Sequence, residues 1–206
     1  MRNRTRFPAV VITLMAAVLL WESTTAARAQ AVTGLMPADP QPGIEALKPG
    51  LGVKYLISKF NSLWEIEEMA TWSKPQPGEP LPMLNYNVGT DAVLSNHNVD
   101  LVGAFIDGFI RFEQAGTYLL AVQHNDGVRL TISGEQIYED GIVAPDRFSP
   151  NLEVQIETPG WYPIALLYYE KKNTSTLELY WQPPGAEEFV FVPAEAFAHL
   201  PEEETS

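Results

Sequence analysis

The chain has 206 residues, enough for one domain with its own hydrophobic core. It carries 26 Asp and Glu against 13 Lys and Arg, a formal charge of −13, and such a surface repels phosphate backbones and anionic headgroups, so no nucleic-acid partner is expected. It has no cysteine, which excludes disulfides, thiol catalysis, Cys-ligated zinc and iron–sulfur chemistry.

Residues 1–29 read as a signal peptide: a basic MRNRTR, an apolar PAVVITLMAAVLLW, then Ala27-Arg28-Ala29 before a cleavage point at Gln30. The apolar run is shorter than the roughly 20 residues a membrane-spanning helix needs. The protein is therefore expected to be exported, periplasmic or extracellular, touching a membrane only if this segment is retained. Without it the chain keeps 9 Lys and Arg against 25 Asp and Glu, a formal charge of −16. Divalent cations and basic surfaces are natural partners for that charge.

Residues 30–50 contain MPADPQPGIEALKPG, a Pro-rich run expected to be an extended linker. A domain over 51–200 and an acidic tail over 201–206 follow. GVKYLISKF opens the domain with strand alternation. SLWEIEEMAT, residues 62–71, is the one helical candidate: Ser62 caps it, Glu65 completes a capping box, and Leu63, Ile66 and Met69 share a face. WSKPQPGEPLP is a loop. LVGAFIDGFIRF (101–112) is a strand, with Gly103 and Gly108 read as bulges or bends. TYLLAVQ, VRLTI, EQIYED, LEVQI, WYPIALLYYE and TLELYW are further strands, and 189–192 is a short last one. Pro163 places the start of its strand at an edge or a bulge. Asp126-Gly127 and Ser133-Gly134 read as tight turns. The expected fold is an all-β antiparallel sandwich, with one short helix in an N-terminal insertion.

GLGVKY, then FIDGFIRFEQAGTYLLAVQHNDGVRLTISGEQIYEDG, then WYPIALLYYEKKNTSTLELYW and VPAEAF stand in an order that resembles the protective-antigen (PA-fourteen) domain family. The resemblance covers about three quarters of the chain. It implies a β-sandwich module of toxins, adhesins and glycosidases that accompanies catalytic domains rather than performing chemistry. In sugar-binding members, paired aspartates on a loop hold calcium, which in turn holds sugar hydroxyls. The equivalent pair here is Asn125-Asp126, with Asn in the first place, and Asp140 matches a following Asp-Gly.

Asn125, Asp126 and Asp140 are thus candidate calcium ligands, with Asp146 a further oxygen donor; the alternative is that they only build turns. Candidate ligand-binding residues are Trp72, Tyr138 and Arg129. Trp64, Tyr138 and Trp161 are expected mainly in the core, whereas Trp72 is as readily exposed beside its Pro-rich loop. His124 is expected on the strand surface, and His97, His124 and His199 lack zinc-site spacing. No nucleophile motif or phosphate loop is found, and the chain is expected not to be an enzyme. Two functional readings follow. One is a carbohydrate-binding module; the other is an accessory subunit docking on an envelope or secreted protein.

Overall fold

A computed structural model describes residues 31–201. The expected signal peptide and most of the acidic tail lie outside these residues. The described residues hold fourteen strands: β1 (Lys48–Pro49), β2 (Gly52–Ile57), β3 (Gln76–Pro77), β4 (Asn85–Gly89), β5 (Val102–Phe112), β6 (Gly116–Asn125) and β7 (Gly127–Ile132), then β8 (Glu135–Asp140), β9 (Arg147–Phe148), β10 (Leu152–Ile156), β11 (Gly160–Glu170), β12 (Ser175–Gln182), β13 (Val190–Phe191) and β14 (Phe197–His199). Among the described residues there is one α-helix, α1, over Leu63–Ala70.

The strands make two antiparallel sheets. The larger runs β1-β14-β5-β11-β7-β8, with β2 sharing the far side of β5 and β3 added to β2. The smaller runs β10-β6-β12-β13, with β9 also on β6 and β4 also on β12. Side chains alternate across a strand, so one face of each sheet can be apolar. Leu177, Leu179 and Trp181 from β12, with Tyr118, Leu120 and Val122 from β6, meet Ile106, Ile110, Leu130, Ile164 and Leu166 of the other sheet in one buried core. Phe112 packs edge-on against Tyr118 and Tyr162 at one end, with ring centroids 4.8 and 5.3 Å apart.

The larger sheet is covered on its outer face as well. Tyr168 points into the main core, and its neighbour Tyr169 points outward, yet both are fully buried. Helix α1 lies over the outer face and buries Leu63 and Ile66 against Leu56, Phe60, Leu167 and Tyr169. Each such aliphatic side chain contributes about 1.5–3 kcal/mol on burial. Ser62 Oγ accepts from Glu65 N, as its capping role requires, and the Glu65 carboxylate reaches back to Asn61 N rather than to Ser62 N.

Four local readings of the sequence need revision. In the run over 30–50, the described residues 31–50 are extended apart from one 3-10 turn at Ile44–Ala46, but from Val32 onward they are seated on the sandwich. Val32 bridges Val154, Leu35 is buried, Ala38 N donates to Trp161 O, and β1 adds to β14. The loop at 72–82 contributes the two residues of β3. Gly103 and Gly108 are not bulges, since the β5–β11 register runs unbroken from Phe112–Gly160 to Val102–Glu170. At Gly103 a Cβ would meet the Phe60 ring at 2.7 Å, so close packing explains the glycine. Asp126-Gly127 is not a hairpin turn: β6 and β7 belong to different sheets, and Asp126 alone carries the chain across. Ser133-Gly134 is the hairpin, with φ of 53° and 81°.

Antiparallel register brings several chain ends together. Asn125 pairs with Thr176, Gly127 with Tyr169, and Val102 with Glu170 and Ile57. The connections 58–62, 98–101, 125–127, 141–146 and 171–174 therefore crowd one end of the sandwich, opposite the Phe112 cluster.

Candidate functional site

The loop end is built around the Asn125–Asp126 crossover, whose peptide bond is cis. Asn125 and Asp126 are 5% and 3% exposed, which a turn residue facing water would not be. The Asp126 carboxylate accepts from Ala144 N through Oδ1 and from Lys171 N through Oδ2, each at 2.9 Å. Asp126 N donates to Tyr169 O. Burial pushes the Asp126 carboxyl above its ordinary value, and those two main-chain donors oppose the rise. Asn125 Nδ2 donates to Asp146 Oδ1 at 2.8 Å and to Thr174 Oγ1 at 2.9 Å. Tyr168 Oη donates to the Asn125 carbonyl. One dipeptide thereby ties the 141–146 and 171–174 loops to both sheets.

His124 is fully buried rather than on the surface. Its Nδ1 lies 2.6 Å from the Asp126 carbonyl, an acceptor, so Nδ1 carries the proton. Nε2 then accepts from Tyr138 Oη at 3.1 Å. Burial lowers its pKa, against the Asp126 carbonyl and the Asp140 charge, which raise it. Tyr138 is half-buried against the core and edge-on to His124, so it does not offer a free ring. Asp140 pairs with the Arg147 guanidinium and accepts from Ile142 N at 3.3 Å. Arg129 is held between Glu67 of α1, at 2.6 Å, and Glu139, at 2.5 Å, so it clamps the helix to the sheet.

Asn125, Asp126 and Asp146 thus come together, as do Asp140 and Arg147; Trp72 and Arg129 stand apart from both groups. Among the described residues no three His, Asp or Glu side chains converge as a donor set for a metal. Glu170 passes unnoticed in the Y-Y-E run of the sequence. It is fully buried, and neither carboxylate oxygen has a hydrogen-bond partner. Burial first, then the charges of Asp100 and Asp126, push its carboxyl up to about 8, against a smaller opposing pull from the Leu101 main chain.

A second feature lies beside the loop end. Trp72, at the end of α1, is 73% exposed, and Trp64 is 64% exposed, contrary to its expected place in the core. Trp64 and Glu68 stand four apart on one side of α1, and Trp72 follows in the turn just beyond its end. Ser58, Lys59, Phe60, Glu65, Glu68, Met69 and Trp72 line an open groove of about 240 Å³. Trp161 is half-buried, with the Arg111 guanidinium 5.8 Å from its ring centroid.

Residues 86–193, more than half of the chain, match the family model of the PA14 domain. The chain belongs to the PA14 domain family. Its fold is similar to the PA14 domain of the MpAFP antifreeze protein, at TM-score 0.64 and 16% identity over 83% of this chain and 100% of that one. It is also similar to the PA14 sugar-binding domain of an RTX adhesin, at TM-score 0.58 and 14% identity over 73% of this chain and 98% of that one. A third similar structure is the Epithelial Adhesin 9 A domain from Candida glabrata in complex with Galβ1-4GlcNAc, at TM-score 0.59 and 13% identity over 80% and 95% of the two chains. No curated protein matches the chain. The Asn125–Asp126 crossover lies inside the PA14 match, whereas α1, Trp64 and Trp72 precede it.

Proposed function

We propose that this PA14 domain is a non-catalytic, exported module that binds carbohydrate, and that the groove beside Trp72 is where sugar docks. The observation that carries the reading is the water-facing Trp72 ring next to Glu65, Glu68 and Lys59. An indole face covers the apolar C–H side of a pyranose, while carboxylate and ammonium groups at its rim bond the hydroxyls. A ring this exposed adds nothing to the core, and aromatic anchors of this kind dominate binding energies. A sugar-binding PA14 domain and a glycan-bound adhesin domain of similar fold support the ligand class. The basic segment, apolar run and Ala-Arg-Ala sequence at the N-terminus support export.

Glycan-array screening of the purified protein, followed by calorimetry on the hits, tests the reading. Saturable binding that Trp72→Ala weakens at least tenfold is expected. An array without hits would sink it.

One observation favours a docking role as the second reading. On the outer face of the smaller sheet, Phe148, Tyr180 and Phe191 form a continuous run, with ring centroids 5.8 and 4.4 Å apart. Phe148 is 57% exposed and Phe191 37%. Such a ladder suits another protein's apolar surface. Chemical cross-linking to a co-expressed envelope or secreted protein, lost in Phe148→Ser, would favour this reading over the first.

A further inference from the structure

The family resemblance implies a calcium ion at Asn125, Asp126 and Asp140, but the chemistry of these side chains points to another device. Calcium takes 6–8 oxygens aimed at one centre. Each oxygen of Asp126 already accepts a main-chain N–H, leaving one acceptor site apiece, and Asp140 holds a guanidinium. Asn125 turns its amide nitrogen to Asp146 Oδ1 and Thr174 Oγ1, from two different loops. An ionised carboxylate only accepts, so the nitrogen end of the amide must face Asp146.

We propose that the Asn125 amide takes the place a cation would fill, and that the loop end is held together without calcium. Its two N–H bonds draw in two oxygens from separate loops, as a metal ion would. Unlike an Asp at this position, it adds no negative charge beside Asp146. Arg147 neutralises Asp140, and the Lys171 and Ala144 amides stabilise Asp126. The inference stands whether or not sugar binds beside Trp72.

The test is thermal unfolding of the purified protein in EDTA and in millimolar calcium, with calcium calorimetry alongside. The wild type should give the same midpoint in both solutions and no calcium heat. Asn125→Asp sets a carboxylate against Asp146. Its midpoint should fall by several degrees in EDTA and recover in calcium, with a Kd of about 0.1–1 mM, as in other extracellular modules. Asn125→Ala, which loses the amide and adds no charge, should lower the midpoint equally in both solutions. A calcium-dependent rise in the wild-type midpoint that Asp126→Asn abolishes would overturn the proposal. So would an Asn125→Ala midpoint equal to wild type. If Asn125→Asp does not fold in EDTA, folding on addition of calcium supports the proposal. If it folds in neither solution, the wild-type calcium titration and Asn125→Ala decide.

Discussion

Replacing Glu170 with glutamine removes one titration while keeping the side chain's shape, and its effect follows from burial. The carboxyl is fully buried with neither oxygen hydrogen-bonded, and its value rises from 4.5 to about 8 in the fold. The native state therefore holds this proton more tightly than the unfolded chain does. Below pH 4.5 the group is protonated in both states and costs nothing. As pH climbs from 4.5 to about 8, the unfolded chain releases the proton and the native state does not, so stability falls by up to about 1.4 kcal/mol per pH unit. Above 8 the loss levels off, at no more than about 5 kcal/mol. Glu170→Gln lacks this titration, and its change in packing shifts the stability curve by an offset that does not follow the 4.5-to-8 window. Urea unfolding of both proteins from acid to mildly alkaline pH gives the difference curve, which should be flat below 4.5 and rise in favour of Glu170→Gln up to about pH 8. Parallel pH profiles would refute the assignment of a buried, uncompensated carboxyl.

Three further outcomes follow from the packing. Tyr169→Phe loses the one O–H shared between Asn61 O and Gly141 O, at 3.0 and 2.9 Å. A loss of about 1–3 kcal/mol is expected in urea unfolding, with faster hydrogen exchange over residues 58–62. Gly127→Ala would drive a Cβ into the Tyr169 ring, so it should cost about 1–3 kcal/mol or more, read as a lowered thermal midpoint. Arg129→Ala releases Glu67 and Glu139 on a partly exposed surface; it should cost about 1 kcal/mol or less, with the difference from wild type shrinking in high salt.

Much of this architecture is legible in the residues, because a strand that packs on one side must alternate. Leu177, Leu179 and Trp181 are readable as core on that ground, and so is the face formed by Leu63 and Ile66. Alternation does not tell whether the opposite face is also covered. Tyr169 and Leu167 point away from the main core and are buried only because α1 lies over them. The same limit hides the burial of Glu170 and His124, whose surroundings come from loops distant in sequence. Asp-Gly signals a turn by local chemistry, yet at 126–127 the chain crosses between sheets. Gly127 is required there by the Tyr169 ring, not by a reversal of the chain. Prolines rightly announce an extended stretch before Gly50, but they cannot show that Val32, Leu35 and β1 attach it to the sandwich. Of the candidate site, the Asn125–Asp126 pair and Trp72 could be picked out by residue type. That Arg129 and Asp140 are already engaged by ion pairs could not.

Carbohydrate capture at Trp72 is tested most directly by titrating one glycan hit into wild-type protein and Trp72→Ala side by side, with unfolding midpoints measured on both. The account predicts equal midpoints and at least a tenfold weaker Kd for Trp72→Ala. Undiminished affinity in Trp72→Ala, with the fold intact, would contradict it.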